Sequence, residues 1–168
     1  AVQNGSLKCW GDNKLGQLGV VGAGTADAVT LPGLESGVTD FHVGPTSCAI
    51  KSGAALCWGQ ADKGVLGDGV TDRVPESVPG LNNPITFRAT PQLVEGLDSG
   101  VTALSYGWGM GCAVQNTELK CWGRNRVSRR RTDDQSIYSF GRLGVGVWNG
   151  DKAHYNIEFS AVPLPTWL

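Results

Sequence analysis

The sequence predicts an all-β chain built as blades of a β-propeller, and three observations carry that prediction. Glycine and proline make up 25 and 8 of 168 residues, a content that breaks long helices and favours short strands joined by turns. An eleven-residue block ending in Cys-Trp-Gly occurs three times, at Ala1 to Gly11, Ala49 to Gly59 and Ala113 to Gly123. Successive Trp-Gly pairs of these blocks lie 48 and 64 residues apart, a blade-sized period whose matched blocks are too long for accidental similarity within a β-sandwich.

The bulk properties set outer bounds. With 40% hydrophobic residues the chain belongs among folded domains, and a net charge of -1 leaves no broad basic face for nucleic acid or an anionic membrane. No apolar run reaches the roughly 18–20 residues of a membrane span. A soluble chain without membrane insertion and without a nucleic-acid partner is expected.

The elements follow in order. Asn4-Gly5 is the strongest short hairpin signal, because a type I′ turn needs positive φ at both central residues. Ser52-Gly53 and Asn116-Thr117 hold the same place in the later blocks. After each Trp-Gly comes a glycine-bounded loop: Gly16-Gln17-Leu18-Gly19, Gly64-Val65-Leu66-Gly67 and Gly141-Arg142-Leu143-Gly144. These read as tight turns between blades. The β-branched and aromatic runs at 38–43 and 101–106, closed by Gly44 and Gly107, read as strands entering the second and third hairpins. The repeat units run from about 1–48, 49–112 and 113–168, all parts of one domain over 1–168. The second unit carries a 16-residue excess placed near 79–94, where a Pro/Val/Gly-Leu pattern recurs. The third carries a polar, charged insertion at 126–140.

Hairpin counting places the cysteines. Cys48 and Cys57 each lie four residues outside the Ser52-Gly53 turn, and Cys112 and Cys121 lie four outside Asn116-Thr117. Both pairs therefore face each other on a non-hydrogen-bonded rung, where Cβ atoms approach most closely. Disulfides Cys48–Cys57 and Cys112–Cys121 are expected, each worth roughly 2–3 kcal/mol through a loop of about 10 residues. No CxxC-type cluster supports zinc. By the same count, the partner of Cys9 falls one position before Ala1, outside the given chain. Paired cysteines imply a secreted, extracellular or otherwise oxidising compartment.

The pattern Cys-Ala-Val, hairpin, Leu-x-Cys-Trp-Gly-x-Asn, then Gly-Gln-Leu-Gly resembles the regulator of chromosome condensation repeat. Trp10-Gly11-Asp12-Asn13-Lys14-Leu15-Gly16-Gln17-Leu18-Gly19 carries the resemblance best. In the second unit Gln60-Ala61-Asp62 replaces Asp12-Asn13-Lys14, and in the third Arg124-Asn125 leads into the insertion. The resemblance implies four-stranded antiparallel blades, about three of them, belonging to a larger, seven-bladed propeller. The remaining blades would come from the parent chain or from other copies. The cysteine pairs depart from intracellular members and look like the disulfide-containing extracellular type. The founding activity, guanine-nucleotide exchange on chromatin, is therefore the alternative rather than the expectation.

No catalytic constellation stands out. His42 and His154 lack metal spacing, the paired cysteines leave no nucleophile, and Asp133-Asp134 sits in the charged insertion. A non-enzyme without cofactor or metal is expected, serving as a protein-binding or assembly scaffold through its rim loops, chiefly 126–140, 79–90 and the Trp108 loop. Trp10, Trp58 and Trp122 recur beside a cysteine and read as packing residues. Trp108 breaks the repeat among three glycines and reads as a contact anchor, with Arg126, Arg129, Arg130, Arg131 and Tyr138 of the insertion. Recognition of glycans by exposed aromatics is the third reading. Asn4-Gly5-Ser6 is a candidate N-glycosylation site.

Overall fold

A computed structural model describes residues 1–70 and 86–124, together with the backbone of three short strands beyond them. Its first sheet joins β1 (Val2–Gln3), β2 (Ser6–Gly11) and β3 (Thr25–Thr30) in the order β1-β2-β3. The second joins β4 (Val38–His42), β5 (Thr46–Lys51), β6 (Ala54–Gln60) and β7 (Phe87–Leu93) in chain order. The third holds β8 (Val101–Gly107), β9 (Met110–Gln115) and β10 (Glu118–Gly123). It is extended by β13 (Val162–Pro163) along β10. All pairings in these sheets are antiparallel.

Turn chemistry sets the register. Asn4 and Gly5 hold φ of 50° and 75°, Ser52 and Gly53 50° and 80°, Asn116 and Thr117 50° and 71°. Each is a two-residue turn with positive φ at both centres. Cys48 therefore faces Cys57 and Cys112 faces Cys121. Both pairs are bridged, with Cα atoms 4.0 and 4.1 Å apart, the close spacing of a non-hydrogen-bonded rung. Cys9 is a free, buried thiol.

Alternation along β5 divides the core. Ala49 points to a cluster with Leu7, Leu18, Leu31 and Trp58 between the first two sheets. Cys48 and Ile50 point the other way, to a cluster with Leu66, Leu97, Tyr106 and Trp122 between the second and third. The middle sheet is thus buried on both faces, as a blade flanked by blades must be. The Ser-Gly-Val-Thr segments stitch the sheets together at their turns. Val38 N–H donates to the Gly5 carbonyl and Val101 N–H to that of Gly53, both at 2.9 Å. A Cβ on Gly5 would lie 3.1 Å from Gly37 N, so this approach needs a glycine.

Two sequence expectations change. The 16-residue excess was placed near 79–94, but 87–93 form β7, the edge strand paired with β6. Gly59 faces Arg88 as Gly11 faces Thr25, so the extra residues fall between Gly59 and Arg88. Pro91 is tolerated in β7 because β7 is an edge strand. A rim loop spanning 79–90 is therefore not present as such: 87–90 are strand, and 79–85 lie outside the described residues. The insertion at 126–140 contains a two-stranded sheet of its own, β11 (Arg126–Arg129) against β12 (Ile137–Phe140), with Arg126 facing Phe140.

Candidate functional site

The glycine-bounded loops act as locks between blades. Trp58, in the second sheet, donates its indole N–H to the Gln17 carbonyl in the first unit's loop at 2.9 Å. Trp122, in the third sheet, donates to the Val65 carbonyl in the second unit's loop at 3.2 Å. Both tryptophans are fully buried. A buried indole needs a partner for its N–H, and a loop with Leu18 or Leu66 turned inward leaves a backbone carbonyl to supply one. In the first loop Asn13, 2% exposed, accepts from Leu18 N–H and donates to the carbonyls of Val20 and Gly22. In the second, Ala61 stands in its place and a 3-10 turn at Asp62–Gly64 does the work, with Lys63 in the left-handed region. Trp10 departs from the packing role expected for it. It is 55% exposed, and among the described residues no loop carbonyl receives its indole.

Blades held at fixed spacing bring their hairpin tips together at one rim. Between β8 and β9 the chain reverses in two residues, Trp108 at φ 54° and Gly109 at φ 76°, with Gly107 facing Met110. The corresponding connection from β4 to β5 is wider, running through residues 43–45, and is pinned by the Ser47 hydroxyl, which accepts from Gly44 N–H and donates to the Gly44 carbonyl. A bulky side chain in the left-handed region is an outlier that surrounding structure must maintain. Trp108 is nevertheless 89% exposed, so burial of its ring does not hold it there.

Beside Trp108 opens a cleft of about 330 Å³. Its walls are His42, Pro45, Thr46 and Gln60 of the second sheet, Val65 of the lock, and Tyr106 to Gly109 with Arg124 of the third sheet. Tyr106 donates its hydroxyl to the same Val65 carbonyl at 3.0 Å, and its ring lies 5.7 Å from that of His42 at 42°. Burial pushes the Tyr106 phenol up to about 12, offset in part by the Thr46 hydroxyl. It is therefore a fixed neutral donor. Arg124 pairs with Asp62 at 2.6 Å across the blade boundary, and its backbone N–H donates to the Gly109 carbonyl at 2.8 Å. The side chain lies against Gly109, where a Cβ would come within 3.0 Å of Arg124 Cδ. Arg124 Nε and Asp62 Oδ1 are buried without a hydrogen-bond partner among the described residues. The Gln60 side-chain amide, half-buried on the wall, has no hydrogen bond to another group among them either.

The chemistry on offer is recognition: an exposed indole, a polar wall with unspent donors, and an apolar floor of Val65 and Pro45. His42 touches an aromatic ring rather than a carboxylate or a nucleophile. Among the described residues no three His, Cys, Asp or Glu gather as a metal site, and no helix is long and apolar enough to cross a membrane.

The sequence-derived site residues fall into two groups. Trp108 is exposed, and Asn4 stands exposed at its turn. The side chains of Arg126, Arg129 and Tyr138, and residues Arg130 and Arg131, lie outside the described residues. Sequence reasoning set His42 aside, gave no site role to Gln60, Asp62 or Tyr106, and saw Arg124 only as the residue leading into the insertion. The available signal was positional: Arg124 directly follows a Trp-Gly, where Gln60 and Asp12 stand in the other units.

No family model and no curated protein matches the chain. Among solved structures, the crystal structure of Kap60 bound to yeast RCC1 (Prp20) is similar, with a TM-score of 0.55 and 22% sequence identity. The match covers 71% of this chain and 28% of that one, so the chain spans little more than a quarter of the propeller it resembles. The likeness is one of fold: the sheets are antiparallel blades of an RCC1-like β-propeller.

Proposed function

We propose that the chain is a non-catalytic propeller module that binds a protein partner at the blade rim, in a secreted or otherwise oxidising setting. The observation that carries this reading is Trp108, 89% exposed, held in a left-handed turn at the mouth of the cleft. Tryptophan supplies large contact area at low entropic cost and is enriched at binding hot spots. The two disulfides support the compartment, since thiols facing each other in a reducing cytosol stay open. The similar RCC1 propeller was crystallised with a protein bound, which is the use proposed for this rim.

The test places a photo-crosslinking amino acid at position 108 in the protein as produced by its native host. The expected result is a cross-link to one defined protein, lost on competition with excess unmodified chain and retained on competition with excess Trp108→Ala chain. Cross-links to abundant proteins in proportion to their concentration would overturn the reading. The compartment is tested separately by the mass of natively purified protein under non-reducing conditions. Two bridged pairs are expected, and four reduced thiols at Cys48, Cys57, Cys112 and Cys121 would refute it.

A further inference from the structure

The Trp108 cleft has a chemical bias that narrows what the partner presents. We infer that it receives a carboxylate side chain of the partner, an Asp or Glu flanked by apolar residues. The inference rests on the protein-binding reading of this rim.

Three observations carry it. Among the described residues the cleft walls contain Arg124, His42 and Gln60, and no acidic residue. Asp62, the carboxylate bonded to Arg124, is not part of the lining, so an incoming anion meets N–H donors first. Second, Asp62 positions the guanidinium without saturating it. One Nη2 contact to Oδ2 is made, while Nε and Oδ1 are buried without a partner among the described residues. A guanidinium has five N–H donors in a planar fork that matches a carboxylate bidentately. The side chain of Arg124 is 34% exposed and lines the cleft, so the groups an incoming carboxylate would meet are its Nη donors rather than the buried Nε. Third, the donors are unspent and the surrounding groups are fixed. The Tyr106 and Thr46 hydroxyls are committed to the carbonyls of Val65 and Gln60. The Gln60 amide and the Arg124 N–H groups are what remains to bind.

The apolar part of the ligand follows from the rim. Trp108 at the mouth and Val65 and Pro45 within offer apolar surface on both sides of the donors. A lone inorganic anion would leave that surface wet. A short peptide with an acidic residue between aliphatic ones covers it, and a volume of about 330 Å³ accommodates such a segment.

The experiment uses the full chain with ¹⁵N-labelled indoles. The probes are acetyl-Leu-Glu-Leu-amide, acetyl-Leu-Gln-Leu-amide and chitotriose. Buried Trp58 and Trp122 report the fold, and Trp108 reports the cleft. The expected result is a Trp108 shift with the Glu peptide, at least about tenfold weaker with the Gln peptide. It weakens several-fold between 20 and 500 mM salt, roughly as a rim charge contact should. Arg124→Gln abolishes the preference for Glu over Gln. Should that variant disturb the Trp122 signal, Gln60→Leu reduces the preference without touching the inter-blade ion pair. Equal binding of the two peptides at Trp108 overturns the carboxylate inference and leaves the protein-binding reading standing. A Trp108 shift with chitotriose and with neither peptide overturns both, in favour of a glycan ligand. No Trp108 shift with any probe also overturns the carboxylate inference, and the cross-linking at position 108 then decides the broader reading.

Discussion

The Val65 carbonyl accepts two bonds from the neighbouring blade, one from the Trp122 indole at 3.2 Å and one from the Tyr106 hydroxyl at 3.0 Å. That shared acceptor makes the lock testable by a double-mutant cycle. Tyr106→Phe removes one bond at nearly constant volume and should cost about 1 kcal/mol, the net worth of a neutral hydrogen bond. Trp122→Phe removes the other bond and part of a fully buried ring, for about 2–3 kcal/mol in total. In either single variant the carbonyl keeps one partner. In the double variant it is buried and bare, which adds a desolvation penalty of about 1–3 kcal/mol that neither single change incurs. The double variant should therefore lose about 1 kcal/mol or more beyond the sum of the singles. The ring-volume loss cancels in the cycle, because it is present in both arms containing Trp122→Phe. Urea unfolding followed by far-UV circular dichroism reads all four proteins without relying on tryptophan emission. Additivity within about 0.5 kcal/mol, the level seen for independent sites, would refute the shared-acceptor account of blade locking.

Three further outcomes follow from the same geometry. Replacing Cys48 and Cys57 together with alanine should lower stability by roughly 2.7 kcal/mol, the loop-closure value for about ten residues, readable from urea unfolding with the slope fitted for each protein; no change would mean the bridge adds nothing. Gly67→Ala should destabilise by several kcal/mol, because its φ is +71° and a Cβ would lie 2.6 Å from Trp122 Cδ1; a thermal melt like that of the parent would contradict this. The phenol of Tyr106 is raised from 10 to about 12 by burial, so between those values the folded chain holds a proton the unfolded chain has lost. Its contribution is intact below pH 10 and falls by about 1.4 kcal/mol per pH unit as pH rises towards 12; Tyr106→Phe should flatten that part of the stability profile.

What was legible in the sequence was whatever depended on local rules. The hairpin turns follow from Asn-Gly and Ser-Gly chemistry, and once the turns are fixed, strand pairing is arithmetic, which is why both disulfides could be counted out. The edge strand β7 was not legible because the recurring Pro/Val/Gly-Leu pattern drew the 16-residue excess onto 79–94, and an edge strand tolerates the Pro91 that this pattern contains. A short pattern match speaks to local similarity and not to which residues pair as strand. The cleft was not legible because its parts are non-local. Asp62 and Arg124 are 62 residues apart and meet only when adjacent blades stack. Tyr106 reads as an ordinary strand aromatic until its hydroxyl is seen on a carbonyl 41 residues away.

Trp108 was legible as an anomaly, and the reason connects fold to function. A tight two-residue turn at φ 54° and 76° could have been made with Asn-Gly, as at Asn4-Gly5, without the strain of a bulky residue. The preceding blade spans the same gap with a wider loop and no tryptophan. Stability alone thus favours a different residue at position 108, and exposure of a large ring at 89% offers no compensating burial. A residue that is unfavourable locally and unrewarded by packing is the kind that a binding role accounts for, provided the scaffold beneath it is rigid. The lock supplies that rigidity. Val65 ties Trp122 and Tyr106 to the neighbouring blade, and Arg124 ties the base of the Trp108 turn, through Gly109, to Asp62 across the same boundary. The strained turn and the inter-blade bonds therefore form one unit, a rigid platform from which the Trp108 ring projects.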